Sequence, residues 1–231
     1  MTNQPTGFIL IDKPQDWTSH DVVGYLRGVT GIKKIGHAGT LDPFATGLLI
    51  VGIGREATKR LDEFKEMDKV YNATIQLGSV SDTQDRTGII KKTQNHENIK
   101  TIGKKNVEKV LLDFVGEQQQ IPPMYSAKKV GGKKLYELAR KGKEIERQPN
   151  NITIYAIDLV NWDEKKQLLK ITCRVSTGTY IRTLAHDIGQ TLGVGGYCEE
   201  LRRTSIGKYS VEDAIPPKSL EKKDWKKLLI K

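Results

Sequence analysis

Residues 35–50 read Ile35-Gly-His-Ala-Gly-Thr-Leu-Asp-Pro-Phe-Ala-Thr-Gly-Leu-Leu-Ile50. One carboxylate, Asp42, sits in a glycine-flanked loop that opens into an apolar strand. Gly36, Gly39 and Gly47 permit sharp turns or close approach by another backbone, and Pro43 fixes φ just after the acid. Leu48 to Val51 anchor the assembly. Taken alone, an Asp in such company usually caps the amides of a tight turn, so the remainder of the chain has to decide whether the loop is a site.

Working outward, Phe8 to Ile11 is expected as a short strand, and Asp16-Trp17-Thr18-Ser19 leads into a helix with Val22, Val23, Leu26 and Val29 inward, capped by Thr18 or Ser19. Leu48 to Ile53 reads as a buried strand, Glu56 to Phe64 as a helix, and Tyr71 to Leu77 alternates as a half-buried strand should. The Val107, Val110, Leu111 and Phe114 spacing predicts a helix over 106–115. Ile152 to Val160 and Leu168 to Val175, flanking Asp163 to Lys166, read as a hairpin. Tyr180 to Leu192 is a strong helix with Gly193 past its end. Cys198 is expected in helix-like surroundings, and Lys218 to Lys231 as a frayed C-terminal helix. Strands and helices in no regular βαβ order indicate an α+β fold with a mixed, mostly antiparallel sheet.

Composition narrows the function classes. The 231 residues carry a net charge of +10, which favours a polyanionic partner, nucleic acid ahead of a membrane surface. Half of that charge lies in Pro122 to Arg147, where eight basic residues stand against three acidic ones. This segment reads either as a solvated excursion or as a lobe closing on a phosphate backbone, with a short helix around Leu135, Leu138 and Ala139 and with Tyr125 and Tyr136 to stack or pack. Cys173 and Cys198 form no CxxC pair, and His20, His37, His96 and His186 have no ligand spacing, so neither a disulfide framework nor a metal site is expected. No long apolar run or signal peptide is read, and a reducing cytosol fits. Gly52-Ile-Gly54-Arg-Glu-Ala57 mimics a dinucleotide fingerprint without the βαβ context. Arg182 lies where a strand ends and a helix begins, an unfavourable place for a cation unless it has a specific anionic partner; Asp42 is the expected one. Tyr71, at a strand start, is on its own most simply a packing residue.

Several ordered motifs then coincide: Asp12-Lys13-Pro14 with Thr18-Ser19; Gly36 to Pro43 with Ala45-Thr46-Gly47; Lys69-Val70-Tyr71 with Leu77-Gly78 and Asp82-Thr83-Gln84-Asp85; Gln120 to Ala127; Gly178 to Thr183; and Leu201-Arg202-Arg203. From about Gly7 to Ile215 the chain resembles the TruB family of tRNA pseudouridine synthases. The resemblance implies the pseudouridine synthase fold, a cofactor-free isomerisation of uridine 55 in the T loop of tRNA, and specific roles for matching residues. Asp42 would be the catalytic aspartate, acting as nucleophile at the sugar or as base at C2′, and Arg182 its ion-pair partner. Tyr71 would stack on the target base and handle the C5 proton. His37 would fill the gap left by the flipped nucleotide, and Tyr180 and Leu201 would line the base pocket. Asp85, Lys13, Lys128 and Lys129 are assigned to RNA contact, and 122–147 to a thumb insertion that clamps RNA.

Two departures stand out. Asp16 replaces the glycine usual in the family's Lys-Pro-x-Gly-x-Thr-Ser stretch, so that turn needs another device, such as an Asx-type cap. Only 16 residues follow Ile215, so 1–215 is expected as the catalytic domain, 216–231 as a short basic tail, and the C-terminal PUA-type RNA-binding module as missing. The expected partner is tRNA through its T stem-loop, with no membrane and no guide RNA, and the expected state is a cytoplasmic monomer. The rival classes are a non-catalytic RNA binder or tRNA-folding chaperone on the same scaffold, which has no need of Asp42, Tyr71 and Arg182 together, and a guide-dependent relative of the dyskerin type.

Overall fold

A computed structural model describes residues 4–126, 128–220 and 224–231, with the backbone alone at 96, 97, 129 and 134. The chain forms two compact units, 1–71 with 201–231, and 72–200. In chain order the first unit holds β1 (Gly7–Lys13), α1 (Ser19–Thr30), β2 (Ile35–Ala38), β3 (Thr46–Ile53), α2 (Arg55–Lys59), α3 (Asp62–Lys65) and the start of β4 (Lys69–Leu77). The second holds the rest of β4, β5 (Ser79–Ser81), β6 (Ile90–Lys92), α4 (Lys104–Asp113), β7 (Gly116–Gln120), β8 (Lys129–Val130), β9 (Lys133–Lys134), α5 (Leu135–Ala139), β10 (Asn150–Asp163), β11 (Leu168–Val175), α6 (Ile181–Thr191) and the first half of β12 (Gly196–Ile206). The remainder of β12, β13 (Tyr209–Ser210) and short 3-10 turns return to the first unit.

In the first unit, β1 and β3 pair antiparallel from Gly7↔Ile53 to Lys13↔Gly47. Both strands are almost wholly apolar because each of their faces is covered. Ile9, Ile11, Leu49, Val51 and Ile53 pack with Val22, Val23 and Leu26 of α1. The alternate residues Phe8, Leu10, Leu48 and Ile50 pack with Ala57, Leu61 and Phe64. Thr18 caps α1 through a capping box with Asp21, and Gly31 ends it at φ 72°. The expected helix over 56–64 breaks into α2 and α3, where Arg60 N–H bonds Ala57 O. The break leaves Leu61 and Phe64 free to sink inward, Phe64 lying edge-on to Phe8 at 4.5 Å.

Two expectations are corrected. Cys198 belongs to a strand, β12, whose charged residues disguise it, and β12 runs parallel to β3 at Arg202↔Thr46 and Arg203↔Gly47. The end of the chain is docked: Trp225 is 3% exposed and Leu220 5%, both in the α1 core, and Ile230 exchanges two backbone bonds of 2.8 Å with Phe8. Apolar residues between the lysines bury themselves, which 3-10 turns at 217–219 and 225–228 allow and a frayed helix would not.

The second unit carries strands in the order β4-β11-β10-β7. The hairpin β10–β11 is antiparallel with two register shifts, and β10 pairs antiparallel with β7. The fold is thus α+β with a mixed, mostly antiparallel sheet, as expected. Ile181, Leu184, Ala185 and Ile188 form the buried stripe of α6. A Cβ on Gly189 would fall 2.2 Å from Gly196 N, so a glycine lets α6 lie against the strand that follows. Pro122 to Arg147 is a folded lobe in its described parts: a two-residue turn at Gly131 and Gly132, both at positive φ, then α5, with Leu135 fully buried. Arg147 closes its base by donating to Pro122 O at 3.1 Å. No helix among the described residues is long and apolar enough to cross a membrane.

Candidate active site

In the first unit the Asp42 loop is fixed from several directions. Ser19 Oγ accepts from Leu41 N–H at 2.9 Å and donates to Leu41 O at 3.2 Å. Pro43 O accepts from Asp16 N–H at 2.8 Å and from Lys13 Nζ at 3.3 Å. Arg203 donates to Gly39 O at 3.1 Å and to Leu48 O at 2.8 Å, so one buried guanidinium spans both ends of the loop. Gly39 (φ 77°) and Gly47 (φ 105°) occupy left-handed backbone, and a Cβ at Gly47 would strike Arg203 O at 2.2 Å. Asp42 itself is neither fully buried nor fully exposed.

Asp16 answers its departure from the family pattern. Its φ is 64°, the left-handed conformation that a glycine would take and that Asp tolerates better than most residues. Its carboxylate accepts from Gln15 Nε2 at 3.2 Å, and the turn is closed by its backbone N–H rather than by an Asx cap.

Lys13 requires a correction. It is fully buried, and its ammonium is spent on three carbonyls, Pro14 at 2.8 Å, Trp17 at 2.6 Å and Pro43. No proton is left for a phosphate; Lys13 ties the end of β1 to the Asp42 loop. Burial lowers its pKa to about 8, against the raising field of Asp42. Lys69 is similar: it donates to Lys65 O and Met67 O, and burial with the field of Arg203 lowers it to about 8. His37 lies on β2 with Nδ1 buried and lacking a hydrogen-bond partner. Burial, then His20 and Arg203, lower its pKa to about 4, so it is neutral at pH 7. Tyr71 and Leu201 are buried, 8% and 7% exposed. Arg202 makes a bidentate pair with Asp12 at 3.0 and 2.8 Å. The roles of Arg202, Arg203 and Lys69 were missed in the sequence, although the Leu201-Arg202-Arg203 run marked their neighbourhood.

In the second unit Arg182, 3% exposed, donates to Asp85 Oδ2 at 3.1 Å, Thr83 O at 2.9 Å and Tyr125 O at 2.8 Å. Asp85, expected from the sequence to contact RNA, is an anionic partner of Arg182 in the first turn of α6, where the sequence reading named Asp42. Asp85 is 3% exposed and its carboxylate is saturated from within. Oδ1 accepts from Thr83 Oγ1 at 2.8 Å, Thr87 N–H at 2.9 Å and Thr87 Oγ1 at 2.5 Å. A buried ion pair held this way avoids the cost of uncompensated charge. Tyr180 caps α6 with its backbone, its N–H to Gln120 Oε1 at 2.7 Å and its C=O from Gln120 Nε2 at 3.0 Å. Lys128 Nζ bonds Asn150 Oδ1; the Lys129 side chain lies outside the described residues. Among the described residues no cluster of His, Cys, Asp and Glu could hold a metal ion.

Comparison with known proteins covers most of the chain. Residues 27–181 match the TruB family pseudouridylate synthase N-terminal domain, and residues 182–228 the tRNA pseudouridylate synthase B C-terminal domain. The chain is 44% identical over 224 residues to tRNA pseudouridine synthase B of Clostridium kluyveri, covering 97% of this chain and 75% of the relative. With the enzyme of the same name from Chlamydia felis it shares 42% identity, covering 97% and 92%. Among solved structures, a Cbf5-Nop10-Gar1 complex superposes with a TM-score of 0.68 at 28% identity, over 92% of this chain and 52% of that chain. An H/ACA RNP bound to a substrate RNA containing 2′-deoxyuridine gives 0.67 at 26%, over 92% and 51%. This chain therefore spans about half the length of those two solved chains.

Proposed function

The chain belongs to the TruB family of pseudouridylate synthases, and from that premise we propose that it isomerises uridine 55 in the T loop of tRNA, with Asp42 as the acting carboxylate. The observation that carries this reading is the immobilised loop: a partly buried carboxylate whose neighbours Gly39, Leu41 and Pro43 are all held by side chains from other elements. Such pinning costs conformational freedom and is worth it where one acid must meet one atom.

The reaction balances without a cofactor. The C1′–N1 bond breaks, uracil turns, a C1′–C5 bond forms, and the hydrogen leaving C5 is replaced by one on N1. Asp42 acts on the sugar, as nucleophile at C1′ or as base at C2′, and must be ionised to do either. We assign Arg182 to keep it so, Tyr71 to stack on the target base, His37 to enter the gap it leaves, and Tyr180 and Leu201 to line its pocket. A neutral, weakly hydrated His37 suits insertion into a base stack better than an imidazolium. Residues 1–215 form the catalytic part in this reading, and the 122–147 lobe, with Lys128 and Lys129, grips the phosphates. The protein works as a monomer in the cytoplasm and needs no guide RNA.

Mass-shift mapping of a tRNA transcript incubated with the purified protein tests site and reaction together. One pseudouridine at position 55 is expected; modification elsewhere, or none, refutes the assignment. Asp42→Asn is expected to abolish turnover while tRNA binding stays within about 1 kcal/mol of the unaltered protein. Turnover retained in that variant removes Asp42 from the chemistry.

A further inference from the structure

We propose that Thr87 is a positioning residue for the reaction: its N–H and hydroxyl together set the rotation of the Asp85 carboxylate and thereby the place of the Arg182 guanidinium. The inference rests on the functional reading above and extends it to a residue outside the motifs.

The terminal torsion of an aspartate is broad, so an ion pair alone leaves the carboxylate free to turn. Here the donors are unequally shared. Oδ1 takes three of them, two from Thr87 and one from Thr83, while Oδ2 takes Arg182 at 3.1 Å. Thr87 grips one oxygen with both backbone and side chain, and that grip decides which oxygen faces the arginine. Thr83 bridges the pair, donating to Asp85 through Oγ1 and accepting from Arg182 through its carbonyl at 2.9 Å. Thr87 touches the carboxylate alone among these groups, so its removal isolates the orientation of Asp85 from direct contact with Arg182.

The loop is built to hold this arrangement. Ser81 Oγ and Thr83 Oγ1 lie 3.1 Å apart, and a Cβ at Gly88 would come within 2.5 Å of both, so the chain can fold over the hydroxyls only with a glycine there. Gln84 takes a left-handed φ of 61°, and its Oε1 accepts from Thr183 Oγ1 at 2.8 Å, next to Arg182 on α6. Its carbonyl accepts from Cys198 N–H at 2.9 Å. Thr87 is exposed as a residue, with only its hydroxyl turned inward. Its methyl contributes little packing, and an isosteric replacement should leave the fold intact.

The test compares Thr87→Val, which keeps the shape and loses the hydroxyl, with Thr87→Ser, which keeps the hydroxyl and loses the methyl, by steady-state kinetics on tRNA and by thermal unfolding. The expected result is a fall in kcat of roughly tenfold or more in the Val variant, KM within twofold, and kcat within threefold of the unaltered protein in the Ser variant. Equal kcat in the Val variant, an equal loss in both variants, or a loss carried by KM overturns the proposal. Should the Val variant fail to fold, Thr87→Ala set against Thr87→Ser carries the same comparison. An unaltered protein that makes no pseudouridine sinks the functional reading itself; an active protein indifferent to the hydroxyl sinks only the role of Thr87.

Discussion

His37 shows how one half-buried side chain links protonation to stability. Its pKa is lowered from 6.5 to about 4 in the folded protein, so between those values the unfolded chain binds the proton more readily than the folded one. Stability is then fully present above about pH 6.5 and declines as the pH falls toward 4, by about 1–3 kcal/mol for this group, the shift itself setting the upper end. Urea unfolding at pH 7 and pH 4.5 checks this: His37→Gln should lose less stability between the two than the unaltered protein, and an identical loss would refute the attribution. Asp42, His37 and Arg182 were legible as special residues in the sequence. The burial of Lys13 and Asp85 was not, because a charged side chain in a motif looks the same whether it meets solvent, RNA or three carbonyls of its own chain.

At the scale of elements, β3 carries the heaviest constraint. It pairs antiparallel with β1 and β2 and parallel with β12, and at Gly47 the β12 backbone lies where a Cβ would have to stand. Gly47→Ala combines a left-handed φ with a Cβ pressed 2.2 Å from Arg203 O, and is expected to cost at least about 2 kcal/mol. Thermal unfolding of that variant beside Gly24→Ala, where a Cβ on α1 meets nothing within 4 Å, gives the comparison. Near-equal melting temperatures would mean that β12 can shift away. Strands β1, β3 and β4, the β10–β11 hairpin, and helices α1, α4 and α6 were readable from periodicity. β12 was not, since Glu199, Glu200, Arg202 and Arg203 carry charge where an apolar alternation would have announced a strand.

For the molecule as a whole the decisive quantity is charge. With a net +10, and the exposed Lys141 and Lys143 in the folded 122–147 lobe, tRNA binding should be strongly electrostatic. Affinity is expected to fall by about tenfold or more between roughly 50 and 200 mM salt, and Lys141→Ala with Lys143→Ala to flatten the log–log slope by about one unit per lost phosphate contact. Fluorescence anisotropy across a salt series measures both; a flat dependence would remove the lobe from RNA binding.

The sequence by itself determined the fold class, most of the elements, the family and the prominence of the Asp42 loop, because periodicity, turn residues and ordered motifs are local properties of the chain. Only the tertiary structure decided the partners. Arg182 meets Asp85 across 97 residues, Arg203 reaches back 164 to Gly39, and Trp225 leaves a lysine-rich tail for the α1 core. Those choices follow from which carbonyls, carboxylates and apolar faces are brought within reach when the strands pair, and no local pattern encodes that distance.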